Sequence, residues 1–240
     1  MNPVSSLVRP HGRPPYRDAH YLAATVEIDP KAMRRFLPRT LRLAAPYRAE
    51  LFTAYFPDQT YTGPYREAGL FVHVRTGPGS RGRTGVHCPW MLVDDDRALI
   101  LGREATGYPK RLAEITWDHR DNRITAHAAR RGADAVRMTA DLGGTDPDAP
   151  PIIGRPHRNV TGLLGAAFPR VVAFTPGERP IETRHAAIDL TIGDELRRMG
   201  VGSVLLGRLH RVDLTVGRPP IPIRPVSPFH TLRTLSTRVL

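Results

Sequence analysis

Lysine is scarce in this chain, and that scarcity singles out one position. Of 35 basic side chains, all but Lys31 and Lys110 are arginine. A guanidinium keeps its proton at any ordinary pH, whereas an amine that sheds its proton attacks a carbonyl carbon and forms an imine. A position that stays Lys in such a company is therefore a candidate nucleophile, the alternative being that both lysines arose by chance. Lys31 sits in the first turn of an expected helix and carries no assigned chemistry.

The surroundings of Lys110 favour the chemical reading. The apolar run Ala98-Leu99-Ile100-Leu101 before Gly102 reads as a buried strand ending in a turn. Gly107 permits unusual backbone angles and Pro109 restrains Tyr108, so Lys110 leaves a stiff turn. Arg111 places a permanent charge next to the amine in sequence. A lysine that is desolvated or beside another cation has its ammonium form disfavoured.

Gly102-Arg103-Glu104-Ala105-Thr106-Gly107-Tyr108-Pro109-Lys110-Arg111-Leu112 resembles the active-site segment of the acetoacetate decarboxylase family. Tyr65-Arg66-Glu67-Ala68-Gly69 is similar to that family's acidic segment, Tyr21 to Pro38 to its first strand and helix, and weaker similarity runs on to about Pro228. The resemblance implies a mainly β fold, a closed cone-like β-barrel with a flanking sheet and a few short helices, assembled as a homo-oligomer. It implies a lyase without a cofactor that decarboxylates a small anionic β-keto acid, such as acetoacetate, through an imine on Lys110.

Other roles follow from the same likeness. Glu67, assisted by Glu50, handles protons; Met91 is a wall of the pocket; Arg103 and Glu104 brace the turn. Read without it, Glu50 and Glu67 are solvated carboxylates at the starts of two strands, Ala49 to Phe56 and Ala68 to Arg75. Two departures stand out. Arg111 occupies the place of a second lysine, and the family's pocket arginine falls at Ala19, with Arg17 matching only after a shift. Some relatives use the same imine for aldol condensation and dehydration of pyruvate-like acids. A non-catalytic ligand-binding or regulatory protein is a third reading.

The elements that must position these groups are mostly short and alternating, which predicts strands. Tyr21 to Ile28 leads into a helix capped by Asp29, with Pro30 first and Met33, Phe36 and Leu37 on one face. His87 to Val93, Leu112 to Asp118, Ile124 to Ala128 and Ala135 to Leu142 continue the strand pattern, and Ala186 to Ile192 and Ser203 to Leu209 bracket a short helix from Asp194 to Met199. Residues 152–183 carry no assignment. Pro219 to Pro225 is extended by its prolines and suits an edge or interface.

Composition bounds the rest. The 240 residues read as a single domain, 1–240, with no shift in composition along them. The start lacks the apolar block of a signal peptide and no run is long enough to span a bilayer, so the expectation is a soluble cytoplasmic protein that does not contact membrane. The net charge of +12 is scattered without a basic tail or aromatic platform, which argues against a nucleic-acid partner and for attraction of a small anion.

Cys88 is the single cysteine, leaving no internal disulfide. The histidines show no ligand pair on one helix face, so no metal is expected. Gly77 to Gly85 lacks the lysine and following helix of a phosphate-cradling loop and reads as a hairpin loop or lid. Gly200 to Gly207 has Leu205 where a dinucleotide fingerprint needs its third glycine.

Overall fold

The organising strand is β1 (Tyr16–Ile28), whose two faces are both buried. Leu22, Ala24, Val26 and Ile28 point to one side, and Ala19, Tyr21 and Ala23 to the other. A strand covered on both faces has to be apolar nearly throughout, and this one is. The same division runs through its neighbours. Leu51, Leu70, Trp90 and Leu92 join the first core, while Phe52, Phe71, Met91 and Val93 join the second. The period of two in strands thus sorts adjacent residues into different cores.

The computed structural model describes residues 14–76, 83–163, 168–215, 220–227, 229 and 230. After β1 come the helix Pro30–Met33 with its 3-10 extension Arg34–Phe36, β2 (Leu41–Leu43), β3 (Arg48–Phe56), β4 (Asp58–Gln59), β5 (Tyr65–Thr76) and β6 (Thr84–Val93). The helix Asp96–Thr106 precedes β7 (Lys110–Leu112), β8 (Glu114–Arg120), β9 (Arg123–Arg130), β10 (Ala133–Thr145), β11 (His157–Leu163), β12 (Phe168–Phe174) and β13 (Gly177–Ile192). A helix over Asp194–Arg198, β14 (Val201–Thr215) and β15 (Ile221–Pro225) complete the order.

One sheet joins them in the order β15-β12-β11-β6-β5-β3-β1-β14-β13-β10-β9-β8, with β2 on β5, β4 on β1 and β7 on β6. The mainly β class is as expected. Closure is not: among the described residues no pairing joins β8 to β15, so the sheet is an open ribbon rather than a hydrogen-bonded barrel. Its β9 and β10 residues Ile124, Met138 and Leu142 belong to the first core together with Leu51 and Leu70 of the central strands. The second core is left to enclose a cavity.

Several local expectations match the structure. Asp29 accepts a hydrogen bond from Lys31 N at 2.8 Å and Pro30 occupies the first turn, with Met33 and Leu37 fully buried. The proline-restricted tail forms the exposed edge strand β15. Most of the loop from Gly77 lies outside the described residues. Among those described, no helix is long and apolar enough to cross a membrane.

The expected strand at Ala98 to Leu101 is a correction, because these residues belong to the helix Asp96–Thr106. Asp95 caps it by accepting from Ala98 N at 2.8 Å. Ala98, Leu101, Gly102 and Ala105, spaced three and four apart, turn toward the cavity, while Ile100 is 56% exposed. Four apolar residues in a row satisfy either period; the small residues recurring through Ala105 are the helical signal.

Candidate active site

Lys110 owes its position to how the helix Asp96–Thr106 ends. Gly107 takes the left-handed conformation at φ 69° and its N–H reaches back to the carbonyls of Gly102 and Arg103. A side chain there would also meet the Val160 carbonyl oxygen at 2.9 Å. Asn159 bolts this end down: its Nδ2 donates to the Thr106 carbonyl at 3.2 Å and its Oδ1 accepts from Cys88 N at 3.1 Å. The chain then enters β7, where Lys110 lies opposite Met91 of β6 in parallel register.

That register decides which neighbours share a face. Glu67, Gly69 and Phe71 of β5 and Met91 and Val93 of β6 point inward with Lys110. The Lys110 amine donates to Glu67 Oε1, and both side chains are nearly excluded from solvent, at 7% and 6% exposure. Gly102 makes room for the lysine stem. A Cβ there would lie 2.5 Å from Cε and 2.9 Å from Nζ of Lys110.

The pair opens on a cavity of about 400 Å³ whose wall is overwhelmingly apolar. The Tyr65 ring lies 5.6 Å from Nζ and the Tyr108 ring 6.0 Å. Burial, and then the charge of Glu67, push the Tyr65 hydroxyl well above its ordinary pKa. Burial raises Tyr16 to about 12. These phenols stay protonated and so add polarity but no charge. Behind Tyr108, His157 Nδ1 stands 3.2 Å from the tyrosine hydroxyl and its Nε2 3.1 Å from the Ile153 carbonyl. Burial, reinforced by Arg155 and Arg158, lowers the His157 pKa to about 3, and a neutral ring donating through Nε2 satisfies both contacts.

Of the residues singled out in the sequence, the structure brings Lys110, Glu67 and Met91 to this cavity and leaves Glu50, Arg111, Arg17, Arg103 and Glu104 outside it. Glu50 shares the inward face but pairs with Phe71, four residues along β3 from Ala54, the partner of Glu67. At ~3.3 Å per residue that is roughly 13 Å, and the rings of Phe52 and Phe71 fill the space. Glu50 instead accepts from Thr25 Oγ1 at 2.9 Å. Burial opposes its ionisation, but His73, Arg155 and Thr25 together hold its pKa below the usual value.

Arg111 follows Lys110 by one residue and so points through the sheet to the opposite side, where it binds Glu195 at 2.7 Å. Arg17 follows the cavity-lining Tyr16 and for the same reason turns outward, to a half-exposed ion pair with Asp58. Ala19, the other place for a pocket arginine, is buried in the second core. Arg103 and Glu104 lie away from the cavity, and the turn is held by backbone contacts, including Tyr108 N to the Gly102 carbonyl at 3.1 Å. Tyr65, Tyr108, Phe56 and Gly102 are cavity residues that sequence reasoning did not assign. Tyr65 and Tyr108 each stand two residues before an assigned group, which on a strand or extended turn is a same-face signal.

Comparison with known proteins agrees with the fold. The profile of the family described as "Acetoacetate decarboxylase (ADC)" matches residues 2–222. Acetoacetate decarboxylase 2 of Mesorhizobium japonicum is 35% identical over 114 residues, which is 48% of this chain and 42% of that protein. Acetoacetate decarboxylase of Clostridium beijerinckii is 31% identical over 111 residues, 46% of this chain and 43% of that protein. The chain thus spans less than half the length of the curated relatives it matches.

Among solved structures, one described as "Structural Studies of Acetoacetate Decarboxylase" superposes with a TM-score of 0.78 at 18% identity, over 94% of this chain and 95% of the other. The enduracididine biosynthesis enzyme MppR complexed with pyruvate superposes with a TM-score of 0.71 at 19% identity, over 92% and 95%. At such identities the superpositions establish a shared fold.

Proposed function

Since the chain belongs to the acetoacetate decarboxylase family, we propose that it is a Schiff-base lyase in which Lys110 forms an imine with a β-keto acid and expels carbon dioxide. The observation that carries this reading is the contact between the Lys110 amine and Glu67 at the wall of a largely apolar cavity.

Glu67 takes the proton that the ammonium must lose before attack, a role supported by its contact with the amine. The free amine adds to the ketone carbon and water departs, leaving a protonated imine. The bond to the carboxylate then breaks, its electron pair moves into the iminium, and neutral carbon dioxide and a neutral enamine replace two opposite charges. An apolar cavity favours that loss of charge. The proton that Glu67 took leaves with the carbinolamine hydroxyl as water, so Glu67 draws another from solvent and delivers it to carbon, and water hydrolyses the new imine to release the ketone and restore the ammonium.

A pyruvate imine condensing with an aldehyde needs the same amine, and MppR is described with the condensation product of pyruvate and imidazole 4-carboxaldehyde. The two reactions part at carbon dioxide. Gas release from acetoacetate, absent when Lys110 is replaced by Arg, supports the decarboxylase. A condensation product from pyruvate and an aromatic aldehyde, with no gas from acetoacetate, supports the aldolase-dehydratase instead.

A further inference from the structure

The cavity around Lys110 is large for a four-carbon acid. A volume of about 400 Å³ falls in the range of roughly 300–1,000 Å³ that encloses drug-sized ligands. The space is walled by aromatic rings. Tyr65 stands beside the amine, Phe56 stacks on Tyr65 with ring centroids 4.5 Å apart and planes at 8°, and Tyr16 packs against Phe56 at 5.7 Å. These rings form a continuous, mostly apolar wall of the cavity, with the Tyr16 and Tyr65 hydroxyls close enough to Glu67 to feel its charge. The helix contributes Ala98, Leu101, Gly102, Ala105 and Thr106, whose hydroxyl is turned to the Gly102 carbonyl at 2.8 Å; Leu101 and Ala105 are exposed.

Charge points the same way. Among the described residues lining the cavity, the charged side chains are Lys110 and Glu67, which already compensate each other. A substrate carboxylate beside the imine is tolerated because it leaves as carbon dioxide. The far wall offers hydrophobic surface, which rewards an apolar tail with every methylene it covers.

We propose that the cavity selects 3-oxo acids whose acyl group is apolar and larger than acetyl, either an alkyl chain or an aryl ring. This rests on the imine chemistry proposed for Lys110 and specifies its substrate class. The bond between the carboxyl carbon and its neighbour breaks, the electron pair enters the iminium, one proton from Glu67 reaches that neighbouring carbon, and hydrolysis releases a methyl ketone. One 3-oxo acid anion and one proton become one methyl ketone and one carbon dioxide.

The test compares kcat/KM for carbon dioxide release from acetoacetate, 3-oxooctanoate and 3-oxo-3-phenylpropanoate, with borohydride trapping on Lys110 measured for each. One methylene in an apolar pocket discriminates by about tenfold or more, so at least one larger acid should exceed acetoacetate by about tenfold or more. Ala105→Trp, which fills the exposed mouth, should shrink that ratio. A highest or equal kcat/KM on acetoacetate, with adducts still forming on Lys110, overturns the size selection alone. No adduct and no gas from any of the three acids overturns the imine reading and this inference with it.

Discussion

Gly102 sets where the amine can stand. An added methyl group at this position would meet Cε, Cδ and Nζ of Lys110 at 2.5 to 2.9 Å. Those atoms are the free end of a long side chain, which can swing aside at little cost to folding but cannot then reach the same point in the cavity. Gly102→Ala should therefore keep or slightly raise thermal stability, since alanine suits a helix better by about 1 kcal/mol. It should also slow single-turnover imine formation by about a hundredfold, the scale of a small misplacement of a reacting group. A variant with wild-type rates contradicts this role. Lys110 itself was legible because lysine is so rare in this chain; Gly102 was not, since the residue it shields lies eight positions away across a helix end.

Element geometry explains why neighbours in sequence have different jobs. On β7, Lys110 and Arg111 face opposite sides of the sheet, and the Arg111 guanidinium is tied to Glu195. Trp90 Nε1 donates to the same carboxylate oxygen at 2.8 Å, so Arg111 belongs to a structural cluster under the helix Asp194–Arg198. Arg111→Gln should leave the pH profile of imine formation unchanged and lower the stability from urea titration by about 2 kcal/mol, the cost of losing a hydrogen bond between charged groups. A displaced pH profile at unchanged stability would assign the charge to catalysis. The alternation on a strand was available from sequence, but β7 is only three residues long and its start became visible only with the preceding helix. That helix mimics a strand when its apolar run is taken alone, without the small residues that continue its face.

Across the whole molecule, two histidines tie the fold to neutral pH. Burial lowers the pKa of His157 to about 3 and of His210 to about 4, in each case with nearby arginines adding to the effect. The folded values are depressed, so the unfolded chain takes up the protons first. The stability from keeping both rings neutral is complete above the unfolded value of ~6.5. It declines as pH falls toward 4 for His210 and toward 3 for His157. Each contributes a slope of up to about 1.4 kcal/mol per pH unit. Urea midpoints should therefore fall between pH 7 and pH 5, above the range where Glu50 protonates, and His157→Gln should reduce that fall; an unchanged slope in the variant contradicts it. The strand-rich class was legible from alternation. The open path of the sheet was not, because whether the first and last strands of a ribbon meet depends on accumulated twist and curvature rather than on any local pattern.

The central claim is a covalent one, so a covalent trap tests it most directly. The intact protein is incubated with acetoacetate, borohydride is added, and peptide mass mapping locates any reduced adduct. The account predicts one adduct, on the peptide containing Lys110, with none on Lys31 and none in Lys110→Arg, which keeps the charge but not the nucleophile. Unlabelled wild-type protein, or labelling that persists in Lys110→Arg, would contradict it.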